Sequence, residues 1–139
     1  MTEDKLPKMF LRLAGYWGPV VLWMGLLFYL SSRPTLPGFT DPIWDLLLKK
    51  SGHAVAYAVL SCLSLRALWQ GREMTSLQYV GAWGIAVLYA ITDEIHQGFV
   101  PGRHPALMDW IIDAIGAVLG LLLAARWVPE FRPAVPADQ

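Results

Sequence analysis

At 139 residues the chain allows one domain of ordinary size. It is 55% hydrophobic and 16% charged, whereas soluble domains carry about 25% charged residues, so the composition is that of a membrane protein. Zero net charge without a long basic run argues against a nucleic-acid surface, and the single Cys62 excludes an intramolecular disulfide.

Crossing the hydrocarbon core takes roughly 20 apolar residues at about 1.5 Å each, and four stretches come close. Residues 1–15, with Lys5, Lys8 and Arg12, read as a short cytoplasmic lead with an amphipathic end. Residues 16–30 form the first and shortest span, and Pro19 is expected to kink its inner end. A basic start before an apolar run is also how a signal peptide begins. Here the small-residue cleavage pattern is missing and three more spans follow, so the segment reads as a retained helix.

The stretch SSRPTLPGFTDP, at 31–42, is too rich in Pro, Ser and Gly for a regular helix and reads as an outer loop. Ile43, Trp44, Leu46, Leu47 and Leu48 then form a turn of helix at the interface. The second span is 52–69, a tight hairpin occupies 70–76, and the third span is 77–95. Pro101 and Pro105 stiffen an outer loop at 98–105 before the fourth span, 108–128. The Pro-rich tail, 129–139, reads as disordered. The expected fold is therefore all-α, a four-helix transmembrane bundle over 16–128.

With four spans, both termini and the second-to-third hairpin share one side, which carries Lys5, Lys8, Arg12, Arg66, Arg72, Arg126 and Arg132. The opposite side carries Arg33, Lys49, Lys50 and Arg103. The excess of Lys and Arg on the inner side of membrane proteins puts both termini in the cytoplasm, in a multi-pass protein of the bacterial inner membrane. Trp17, Trp69 and Trp127 fall at inner ends and Trp44 and Trp110 at outer ends, as an aromatic belt requires. Trp23 and Trp83 fit it less well.

Ionisable groups at membrane depth are expensive and are retained where they pair, line a wet cavity or do chemistry. Nearly all of them lie at the outer helix ends. Lys50, His53 and Tyr57 share one helix face at i, i+3 and i+7, and Ser61 and Ser64 extend it deeper. Tyr89, Asp93 and Gln97 share another, with Glu94 beside them. Asp109, Asp113, Gly116 and Gly120 form a stripe whose GxxxG pair permits close helix approach, so these acids face other helices. Three helices thus direct polar groups toward one site.

A structural reading is that these groups only hold the helices together, with Lys50 and Arg103 neutralising two carboxylates and His53, Tyr57 and Gln97 completing a hydrogen-bond network. A site of about ten polar groups exceeds that need. In the functional reading His53, Asp93 and Glu94 are candidate catalytic groups: the neighbouring carboxylates crowd each other, leaving one to act as acid or base, and His53 carries protons near neutral pH. Lys50 and Arg103 would hold a phosphate or carboxylate, with Tyr57, Gln97, Asp109 and Asp113 completing a ligand-binding set. A polar headgroup would be gripped there while its apolar tail lies between helices. His53, His96, Asp93, Glu94, Asp109 and Asp113 are possible metal ligands, but their spacing is not a zinc signature, and His96 and His104 read as solvated loop histidines. No metal and no cofactor is expected.

Three blocks, KSGHAVAY at 50–57, DEIHQGFVPGR at 93–103 and DWIIDAIGAVLG at 109–120, make the chain similar to the VanZ-like family of small bacterial membrane proteins. They fall in the family's order and cover about half the chain. Asp113 stands where that family usually has Asn, which adds negative charge. The resemblance implies a four-helix membrane domain and, through the family's namesake, lowered susceptibility to glycopeptides such as teicoplanin; an envelope housekeeping role is equally open.

Two functions of different class follow. One is a non-enzymatic envelope protein that binds membrane lipids and a lipid-linked or lipidated envelope molecule at the outer face. The other is a membrane enzyme acting on a lipid headgroup by acid–base chemistry through Asp93, Glu94 and His53. Ser51-Gly52-His53 with Arg103 and Asp109 only faintly matches lipid phosphatases, which carry a Pro before Ser-Gly-His and a second His before the final acid. A transporter ranks last, because the polar groups stop partway down the helices.

Overall fold

The structure, a computed structural model, describes residues 5–34, 38 and 40–133. Four α-helices, α1 Lys5–Ser31, α2 Pro42–Trp69, α3 Ser76–Gln97 and α4 Leu107–Trp127, are followed by a short 3-10 turn, Pro129–Phe131. Strands do not occur among the described residues. The helices alternate in direction, so the start of α1 and the end of α4 lie at the same end of the molecule.

Local chemistry explains most helix boundaries. Asp41 caps α2, its Oδ1 accepting from the backbone N–H of Ile43 at 2.9 Å and Trp44 at 3.2 Å, with Pro42 in the first turn where its missing N–H costs nothing. The turn of helix expected at the interface is continuous with α2, giving one element of 28 residues. Gln70 and Gly71 end it with positive φ. Gln78 then turns back so that its Oε1 accepts from the Thr75 N–H at 2.6 Å, half of a capping box that starts α3.

Two elements run further than the sequence reading had them. Helix α1 begins at Lys5, not near residue 16, and runs through Pro19. At the other end Pro129–Phe131 docks back onto the protein: Phe131 is buried, lies edge-on to Trp69 at 5.5 Å, and its carbonyl accepts from the Tyr79 hydroxyl. The rest of the tail, 134–139, lies outside the described residues.

Packing is uneven, and small residues decide where it is tightest. A Cβ added to Gly116 would stand 2.3 Å from the Ala54 carbonyl oxygen, and one on Gly120 2.5 Å from that of Ala58. The GxxxG stripe of α4 therefore lies directly on the α2 backbone, as small-residue interfaces between helices do. Ser61 and Cys62 bridge the same seam to the carbonyls of Ala117 at 2.9 Å and Gly120 at 3.3 Å. Trp23 and Trp83, the two tryptophans outside the belt, are interhelical donors, to the carbonyls of Ala56 at 2.9 Å and Ala114 at 3.3 Å.

Helix α1 is peripheral. Its segment Leu6–Ser31 and α4 are each long and apolar enough to cross a membrane, yet only 6% of the most apolar window of α1 is buried within the protein. Phe10, Val21, Leu22 and Tyr29 lie exposed along it. A surface this apolar needs an apolar surrounding, so the two helices point to a membrane protein. By the same measure α2 and α3 are less apolar, because they carry most of the polar side chains described next.

Candidate functional site

The close α2–α4 seam carries two pairs of a basic and an acidic side chain at one end of the molecule. Lys50 Nζ donates to Asp109 Oδ1. One turn deeper, His53 Nδ1 lies 3.2 Å from Asp113 Oδ1, with the Asp113 side chain 1% exposed. Both pairs follow from the spacing read in the sequence: residues at i and i+3 on α2 meet residues at i and i+4 on α4 because the glycines bring the backbones together. Asp113 pairs with His53, and Asp109 takes Lys50.

The neighbouring acids of α3 diverge, since consecutive helical residues point about 100° apart. Asp93 is buried and its Oδ2 accepts from Gln97 Nε2 at 3.0 Å. Glu94 turns the other way, and its Oε2 accepts from the backbone N–H of Ala106 at 2.9 Å. Ala106 opens α4 without a capping side chain of its own. Glu94 supplies that cap from another helix, a carboxylate at the positive end of the helix dipole.

Arg103 has a different setting from the anion fork expected of it. Its Nε donates to the Arg33 carbonyl at 2.9 Å and a terminal nitrogen to that of Leu30 at 3.3 Å. These donors tie the α3–α4 loop to the carbonyl-rich end of α1. His96, read from the sequence as solvated, is half-buried: its ring stacks on Phe28 at 4.3 Å and Nε2 lies 2.9 Å from Ser32 Oγ. With Tyr89, whose hydroxyl donates to the Met24 carbonyl at 2.5 Å, these contacts hold α1 against the rest.

Two cavities meet at this end. One, of about 280 Å3, is mainly apolar, with Leu27 and Leu30 of α1 facing Leu48, Ala56 and Tyr57 of α2. The other, of about 500 Å3, opens beside it and is lined by Lys49, Lys50, Arg103, His104 and Asp109. Lys49, His53, Gln97 and Arg103 border both. The polar cavity is lined by Lys49, Lys50 and Arg103 with one carboxylate, Asp109, and the apolar one has Asp93 at its wall beside the shared Lys49 and Arg103.

Of the residues singled out from the sequence, Lys50, His53, Tyr57, Asp93, Gln97, Arg103 and Asp109 thus border the cavities, Asp113 sits directly behind His53, and Glu94 lines neither cavity. Lys49 and His104 were missed. Lys49 was legible only as the basic neighbour of Lys50, and its Nζ also pairs with Asp45 one turn away at 2.7 Å. His104 sits on a loop whose path no periodicity predicts. Among the described residues no three His, Cys, Asp or Glu side chains come together closely enough to hold a metal ion.

No curated protein and no solved structure matches the chain. The VanZ/LLP1 family model does, over residues 16–128. That stretch holds all four packed helices from the middle of α1 onward and every residue bordering the two cavities, and on this match the chain belongs to the VanZ/LLP1 family.

Proposed function

We propose that this is a multi-pass protein of the bacterial inner membrane that binds a lipid-linked or lipidated envelope molecule at its outward-facing end, with both termini in the cytoplasm. One observation carries the reading: a cation-lined cavity of about 500 Å3 adjoins an apolar cavity of about 280 Å3, and four side chains border both. An amphiphile with an anionic head and an apolar tail matches that pair of environments. Lys49, Lys50 and Arg103 attract the head, and Leu27, Leu30 and Leu48 contact the tail. Sequestering such a molecule at the outer face is also a direct route to lowered glycopeptide susceptibility, since it alters what a drug meets there.

The test is mass spectrometry of lipids retained by the purified protein, comparing the wild type with Lys49→Glu. Acidic lipid-linked species enriched over the bulk membrane, and reduced roughly tenfold by the charge reversal, are expected for a pair of charge-assisted contacts. Retained lipid of the same composition as the membrane, in both proteins, overturns the reading.

A second reading, an enzyme acting on the lipid headgroup, is favoured by the His53–Asp113 pair, a carboxylate orienting an imidazole beside a cavity. In cells expressing wild type or His53→Ala at matched levels, an enzyme changes the membrane lipid or precursor profile only with the wild type. Unchanged profiles leave the binder alone.

A further inference from the structure

We infer that the ligand is a lipid in which one phosphodiester, carrying a single negative charge, joins the tail to an uncharged polar group, and that Arg103 holds that phosphodiester. The inference rests on the lipid-binding reading and narrows it.

Lys49, Lys50 and Arg103 line the polar cavity, but the two lysines already have acids. Lys49 pairs with Asp45 at 2.7 Å, and Lys50 pairs with Asp109. Arg103 has no carboxylate partner among the described residues. It donates instead to the carbonyls of Arg33 at 2.9 Å and Leu30 at 3.3 Å. Two carbonyls orient the guanidinium without neutralising it, and three of its five N–H groups remain for a ligand. The positive charge in excess along this wall is therefore that of Arg103 alone. A second charge on the ligand finds no unmatched cation, and Asp93, at the wall of the adjoining cavity, opposes it.

Position narrows the class further. Arg103 borders both cavities, so an anion held by it has space on two sides. On one side are Leu27, Leu30 and Leu48. On the other lie about 500 Å3, within the roughly 300–1,000 Å3 range of whole ligand sites and more than a terminal phosphate or carboxylate fills. A fatty acid or a phosphomonoester ends at its anion and leaves that space unused. A phosphodiester continues past it. The group beyond then meets Lys50 paired with Asp109, and His104, side chains that offer both donors and acceptors but no excess charge. A hydroxylated, uncharged group such as glycerol or a sugar fits that surface. A diphosphate link carries too much charge for it.

The probes are a single-chain alkyl phosphoglycerol, the alkyl phosphate of the same chain, and glycerophosphoglycerol without a chain, titrated against the full protein in a non-ionic detergent. At about pH 8 the monoester, whose second pKa is about 6, is close to a dianion. The phosphoglycerol should bind roughly tenfold more tightly than either of the others. Arg103→Gln should abolish that preference, whereas Arg103→Lys, which keeps the charge, should retain it. Arg103 also ties the α3–α4 loop to α1, so the comparison of probes on the wild type decides if the variants do not fold. Equal binding of phosphoglycerol and phosphate, tighter binding of the phosphate, or a preference that survives Arg103→Gln overturns the inference and leaves the lipid reading standing. Binding of the chain-free diester as tightly as the alkyl one, or binding of none of the three, overturns the lipid reading and this inference together.

Discussion

Asp113 illustrates how one buried residue is held by a single contact across the α2–α4 seam. The carboxylate is 1% exposed, and its hydrogen-bond partner among the described residues is the His53 imidazole. An Asn amide oxygen would accept from the same Nδ1–H, so Asp113→Asn should change stability in micelles by under about 1 kcal/mol. Asp113→Leu instead strands a half-buried imidazole and should cost about 2 kcal/mol. Reversible unfolding of both variants in detergent checks the contrast, and equal losses would mean that the hydrogen bond contributes nothing. That these residues meet was half legible in the sequence: periodicity placed each on an inward face. Which acid Lys50 and His53 would each take was not, because it depends on the register between α2 and α4.

At the scale of elements, that register is set by glycine. Gly116→Ala places a Cβ 2.3 Å from a carbonyl oxygen of the facing helix backbone, which cannot rotate away as a side chain would. The helices must separate, and a loss of about 1–3 kcal/mol is expected from overpacking, with weaker Lys50–Asp109 and His53–Asp113 contacts. Gly84→Ala on α3, where a Cβ meets nothing within 4 Å, should be neutral or stabilise by up to about 1 kcal/mol. Unfolding midpoints of the two variants decide this; similar shifts would remove the special role of the α2–α4 seam. The GxxxG pair was readable from sequence alone, whereas the Ala54 and Ala58 surface that receives it was not. Nor was the use of Glu94 to begin α4, since that cap comes from a residue 12 positions away across a loop.

For the whole molecule, the alternating helices place the α2–α3 turn at the end opposite the cavities, and the excess of Lys and Arg at that end is the ground on which we propose that it faces the cytoplasm. Both Arg72 and Phe99 are exposed, one at each end. In a Cys62→Ala background, Phe99→Cys should react with a membrane-impermeant maleimide on intact cells lacking an outer membrane barrier, and Arg72→Cys only after lysis. The reverse pattern would turn the site to the cytoplasm and remove any direct encounter with an extracellular drug. Helix α1 contributes least to the packed interior yet forms one wall of the apolar cavity, held there by Arg103, His96 and Tyr89.

Hydropathy and spacing by themselves determined the all-helical class, the order of the helices, and which end and faces hold the polar groups, because these depend on local periodicity and on the cost of charge in an apolar surrounding. Only the tertiary structure decided the partners. It paired Asp113 with His53, directed Glu94 to a backbone cap and Arg103 to the end of α1, and brought Lys49 and His104 to the cavity rim. Each of these rests on the distance between backbones from separate parts of the chain, a quantity that no local pattern encodes.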